Sequence, residues 1–130
     1  MEKQETIKLL DDFYSTLDIV NETDEIMIRE ITKRPISTVL DIGIGFARFA
    51  GKLANRGLSV QGIDISHERV EYARQKRDDI SVDKSDAKGM GFRSKFDAAC
   101  CTSVVQIRDY EDVFRKAHDA VKKGGWFFVT

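Results

Sequence analysis

Two short segments carry the residues whose types and spacing suit them to chemistry. Asp41-Ile42-Gly43-Ile44-Gly45-Phe46-Ala47 completes one apolar run, and Gly62-Ile63-Asp64-Ile65-Ser66 completes a second. Gly43 and Gly45 allow a sharp turn and a close approach of backbone to ligand, because they have no side chain to obstruct either. Asp64 stands 23 residues after Asp41, near the roughly 20-residue offset at which an acid after a second strand meets ribose hydroxyls. A strand, a glycine-rich turn, a helix and a second strand ending in a carboxylate together grip a nucleoside.

The third small position separates the nucleosides. A dinucleotide fingerprint requires Gly-x-Gly-x-x-Gly, whose last glycine admits close helix packing beside a pyrophosphate. Arg48 occupies that place here, which disfavours a nicotinamide enzyme. Read instead as Asp41-x-Gly43-x-Gly45-x-Ala47, the loop resembles that of class I S-adenosylmethionine-dependent methyltransferases, with alanine for the last glycine. Further landmarks of the small-molecule branch of that family follow in order: Gly62 to Ser66, Ser85-Asp86-Ala87, Phe96-Asp97-Ala98-Ala99, and Val121 to Trp126.

The resemblance implies S-adenosylmethionine as cofactor, S-adenosylhomocysteine as product, and in-line methyl transfer to a small-molecule acceptor. Carried over position by position, it implies that Asp41, Gly43 and Gly45 lie against the methionine part and ribose. Asp64 meets the ribose, and Ile65 after it is also expected among the cofactor-binding residues. Asp86 with Ala87 meets adenine, and the backbone near Thr102 and Ser103 meets the methionine amino group. No catalytic residue follows from it; a general base, where the acceptor needs one, would be sought near Tyr14, Ser103 or Gln106. Asp64 could also serve the start of the helix capped by Ser66, and Asp86, between Lys84 and Lys88, could be a surface charge.

Composition narrows the class. The 130 residues, 42% of them hydrophobic, support one domain with a core of ordinary size. With 21 basic and 22 acidic residues the net charge is −1, which gives no long-range pull on nucleic acid. Neither a signal peptide nor an apolar run near the roughly 18 residues of a membrane span is visible, so the chain reads as cytoplasmic. Cys100 and Cys101 are neighbours in an expected strand, so they should face opposite sides as reduced core residues. His67 and His118 have no companions at ligand spacing, and no metal is expected.

The elements that must position these residues follow from periodicity. Ile7, Leu10, Tyr14 and Leu17, with Phe13 beside them, predict an amphipathic first helix, and Phe13 and Tyr14 could close over the site or simply pack. Met27, Ile28 and Ile31 predict a second helix ending before Pro35. Strands are expected at Thr38–Ile42, Ser59–Ile63, Ile80–Lys84, Phe96–Thr102 and Trp126–Thr130. Helices are expected from Phe46 to Asn55, after Ser66, and from Asp109 through Val121 to a stop at Gly124 and Gly125. The charged run Arg74 to Asp79 should be a solvated face.

Alternating strands and helices imply an α/β fold with a mainly parallel sheet. The resemblance implies a Rossmann-like three-layer sandwich of order 3-2-1-4-5, with residues 1–36 as preceding helices and 37–130 as the cofactor-binding core. The family's sheet usually continues with two more strands beside the fifth, which this sequence does not contain. Its apolar fifth strand would then offer an unpaired edge to a second copy or a partner subunit. A different class of function is therefore also expected as an alternative: a methyltransferase-like binding or regulatory subunit acting through that edge.

Overall fold

The computed structural model describes residues 3–17, 22–102 and 110–130. Five strands, β1 (Thr38–Ile42), β2 (Ser59–Asp64), β3 (Ser81–Lys84), β4 (Phe96–Cys101) and β5 (Val121–Val129), form one sheet in the order β3-β2-β1-β4-β5. Every pairing is parallel. The central strand β1 places Asp41 between Gly62 on one side and Cys100 on the other. The chain order reverses between β1 and β4, so the crevice at their carboxyl ends is the switch point where ligands of such sheets bind.

Side-chain alternation divides the core. On one face Val39, Val60, Val82, Ala98 and Cys100 pack with α2 (Glu22–Thr32), α3 (Arg48–Asn55) and α4 (His67–Lys76). On the other, Leu40, Ile42, Ile63, Ala99 and Cys101 pack with α5 (Tyr110–Ala120). Cys100 and Cys101 are buried, free and on opposite faces, as the pleat dictates. Ser66 caps α4 as expected, its side chain accepting from the Arg69 N–H at 3.3 Å.

Four expectations are corrected. The third helix begins at Arg48, not Phe46, because Gly45 and Ala47 have φ of 56° and 61° and extend the turn. The last helix ends at Ala120 instead of continuing through Val121. The carbonyls of Asp119 and Ala120 are taken by the N–H groups of Ser94 and Lys95, and Val121 already pairs with Phe96. β5 thus starts before Gly124 and Gly125, which sit in an irregularity where its register with β4 shifts.

The first helix, α1 (Lys3–Leu17), forms with Ile7 half-buried, but among its described side chains the one that is buried is polar. Asp11 is 3% exposed whereas Phe13 is 58% exposed, and Leu9 and Leu10 are exposed as well. The run Arg74 to Asp79 is largely exposed, as expected, and two of its side chains also bond inward. Arg74 Nε donates to the Val82 carbonyl at 2.9 Å, and Arg77 donates to Asn55 Oδ1 at 3.0 Å.

Candidate functional site

The chain leaves β1 at Ile42 and turns at once. Gly43 and Ile44 both donate their N–H groups to the Ile63 carbonyl at 2.9 Å, which pins the loop to the end of β2. Gly43 has φ of 77°, a conformation that glycine adopts without a Cβ clash. A Cβ built on Gly45 would meet nothing within 4 Å. Its positive φ, not crowding by protein atoms, is therefore what favours glycine there, and the space beside it is open. Gly62 has the opposite reason: a Cβ there would lie 2.8 Å from the Cβ of Ile44. The absence of a side chain at Gly62 lets Ile44 seat the loop against β2.

Asp64 joins the loop to the following helix. One carboxylate oxygen accepts the Gly45 N–H at 3.0 Å, and the other accepts the Ser66 N–H at 2.9 Å. The group is only 6% exposed, yet each oxygen retains acceptor capacity for a further donor. Of the two uses considered for Asp64 from sequence, the geometry shows service at the start of α4, and the same carboxylate faces the glycine loop. Ile65, next along, is 68% exposed, a large apolar side chain beside a buried acid.

Asp41 lies deeper, 1% exposed, and accepts a weak bond from the Cys100 thiol at 3.7 Å. Burial raises its pKa to about 7, against the opposing effect of the thiol, and the nearby Asp64 charge adds to the rise. The same burial pushes the Cys100 thiol up. Neither the partnership with Cys100 nor the seat of Ile44 on Gly62 has a local sequence signal, because each joins residues on different strands or loops.

The remaining predicted positions cluster around the same end of the sheet. The Ser85 N–H bonds the Asp64 carbonyl at 3.0 Å, which brings Asp86 and Ala87 next to the end of β2. Asp86 is exposed, and one of its oxygens turns the loop by accepting the Lys88 N–H at 3.0 Å. Ala87 is half-buried against the core of the α5 face. Thr102 follows β4 directly and is half-buried. Ser103 and Gln106 lie outside the described residues, as does the side chain of Tyr14. A groove of about 500 Å³ lined by Arg93, Ala117, Lys122 and Trp126 lies toward the amino ends of β4 and β5, and contains none of the predicted site residues.

Among the described residues no group of three or more His, Cys, Asp or Glu could hold a metal ion. Among the described residues no helix is long and apolar enough to cross a membrane. Asp64 retains acceptor capacity, Ile65 and Ala87 present apolar surface, and Asp86 presents an exposed carboxylate.

Comparison with known proteins agrees with the fold. A family model described as a methyltransferase domain matches residues 39–125. The ubiquinone biosynthesis O-methyltransferase of Pseudomonas paraeruginosa is 31% identical over 100 residues, covering 72% of this chain and 43% of that protein. A solved structure from Methanococcus maripaludis superposes with a TM-score of 0.82 at 22% identity, covering 99% of this chain and 64% of that one. Phosphoethanolamine N-methyltransferase 2 of Haemonchus contortus, solved in complex with S-adenosyl-L-methionine, gives a TM-score of 0.69 at 26% identity, over 79% of this chain and 27% of that chain. The chain thus spans about half or less of the length of such O-methyltransferase relatives. Since the matched segment runs from β1 into β5 and contains the glycine-rich loop, Asp64 and Asp86, the chain belongs to the class I S-adenosylmethionine-dependent methyltransferase family.

Proposed function

We propose that this chain binds S-adenosylmethionine at the carboxyl ends of β1, β2 and β4 and takes part in methyl transfer to a small molecule. The observation that carries the reading is the Asp64 carboxylate, buried and held from both sides by Gly45 and Ser66. A carboxylate fixed by two backbone donors costs little further ordering when hydroxyls approach it. In this reading Asp64 holds the ribose, Ile65 and Ala87 flank the adenine, and Asp86 accepts from its amine. Asp41, Gly43, Gly45 and Thr102 surround the methionine part.

When bound, the sulfonium supplies a methyl group that is already electrophilic. What remains for the protein is to hold the cofactor and align an acceptor lone pair with the carbon–sulfur bond. A nucleophilic acceptor needs no catalytic residue, and none is assigned. The O-methyltransferase relatives favour a small-molecule acceptor. We take residues 1–130 as a single unit, with 1–36 as helices that precede the cofactor-binding core 37–130.

Calorimetric titration with S-adenosylmethionine, S-adenosylhomocysteine and NAD tests this. Micromolar binding of the two sulfur nucleosides is expected, with NAD inert. Asp64→Ala is expected to weaken S-adenosylhomocysteine by about tenfold or more, the value of a hydrogen-bonded charged group. Unchanged affinity in that variant would overturn the site assignment.

A second reading concerns β5, which pairs with β4 on one side and has no neighbour on the other among the described strands. Such an edge invites another strand, from a second copy or a partner subunit. Rapid amide exchange along β5 in a strictly monomeric protein at high concentration would exclude that reading.

A further inference from the structure

We propose that Lys76 is a positioning residue that couples the docking of α1 to the state of the glycine-rich loop; the inference rests on the cofactor reading of that loop. Lys76, the last residue of α4, reaches two elements at once. Its Nζ donates to Asp11 Oδ2 on α1 at 2.8 Å and to the Phe46 carbonyl in the loop at 3.1 Å. The Tyr72 hydroxyl donates to the same Asp11 oxygen at 2.5 Å. Asp11 is almost wholly buried, and its other oxygen accepts no hydrogen bond among the described residues. A carboxylate in that setting is costly to seat without its partners, so Lys76 and Tyr72 act as the clasp.

The clasp matters because of how α1 is attached. A further tie, from Gln4 Nε2 to the Glu68 carbonyl at 2.8 Å, is also polar, while Leu9, Leu10 and Phe13 of the same helix are exposed. Among the described side chains, the ties from α1 to α4 are these polar contacts, with Ile7 half-buried on the same helix. Phe46 lies at the other end of the relay. Its ring stands edge-on to Tyr72 at 6.2 Å, and the Arg69 guanidinium lies 5.7 Å above it. The preceding residue, Gly45, donates to Asp64. The path from α1 to the ribose-binding acid thus runs Asp11, Lys76, Phe46, Gly45, Asp64.

A ligand that immobilises the loop lowers the entropy still to be lost when Lys76 grips the Phe46 carbonyl, and so favours the docked helix. By linkage, a docked α1 favours the ligand equally.

The test is amide exchange on the 130-residue chain with and without S-adenosylhomocysteine, alongside calorimetric affinity, for wild type, Lys76→Met, Lys76→Arg and Tyr72→Phe. In wild type the ligand is expected to slow exchange across α1. Lys76→Met should abolish that ligand-dependent slowing and weaken binding about fivefold or more. Lys76→Arg, still a donor, should keep both, and Tyr72→Phe should give a smaller change in the same direction. Exchange in α2 reports whether each variant is folded; should Lys76→Met fail there, Tyr72→Phe and Lys76→Arg decide. A wild type that binds the ligand with α1 unchanged overturns the coupling alone, as does a folded Lys76→Met that retains the slowing. A wild type that binds no S-adenosylhomocysteine overturns the cofactor reading and the coupling with it.

Discussion

Asp41 and Asp64 are both buried acids a short distance along adjacent strands, yet their surroundings differ. Asp64 receives two backbone N–H groups, whereas the donor to Asp41 is a thiol. Burial is therefore only weakly offset at Asp41, and its pKa rises from 3.8 to about 7. The sign of its effect on stability follows from linkage. Below the unfolded value, near pH 4, both states are protonated and burial carries no penalty. The penalty grows as pH rises and is complete above the folded value of about 7. Asp41→Asn carries no such penalty, so its stability relative to wild type should increase between pH 4 and 7 by up to about 4 kcal/mol and then level off. Denaturant melts at a series of pH values measure this, and a difference independent of pH would contradict it.

At the scale of elements, the glycine-rich loop is seated by a contact between a loop residue and a neighbouring strand. Ile44 packs where Gly62 has no side chain. Gly62→Ala would bring two Cβ atoms to 2.8 Å, well inside contact distance, in a strand paired on both sides. Overpacking of that kind is expected to cost about 1–3 kcal/mol in thermal or denaturant unfolding. It should also lower cofactor affinity, because the loop must move. Gly45→Ala, with open space around its Cβ, should affect the molecule only through its positive φ, by about 1 kcal/mol.

At the scale of the whole molecule, Asp97 ties the start of the central strand to the edge. One of its oxygens accepts the Ser37 and Thr38 N–H groups at 2.8 and 3.0 Å, and the other faces Lys122 on β5 at 3.2 Å. The two backbone bonds, then Lys122, hold its pKa down to about 2. A depressed carboxylate contributes stability above its unfolded value near 4 and loses it as pH falls through 2. Asp97→Asn is therefore expected to be less stable than wild type by about 1 kcal/mol at neutral pH, with the gap closing between pH 4 and 2. Urea melts across that window test it.

Much of the sheet was legible from local patterning. β1 was expected and found at Thr38–Ile42. The strand order, which the family resemblance implied, is found as well, and with it Asp41, Gly43, Asp64, Asp86 and Thr102 lie at one end of the sheet. The boundary of α5 did not match expectation, since its last carbonyls are claimed by Ser94 and Lys95 from a distant part of the chain. Nor did the orientation of α1, whose apolar periodicity predicted burial of Leu10 where the fold buries Asp11.

The sequence by itself determined the alternation of elements and the chemical inventory of the site, because backbone propensity, periodicity and motif spacing are local properties. Only the tertiary structure decided which groups are satisfied by which partners. Asp11 meets Tyr72 and Lys76 across 61 and 65 residues, and Asp41 meets Cys100 across 59. Such pairings exist only once packing has removed water from both partners, so the cost of burying each charge, and the contact that offsets it, is a property of the fold.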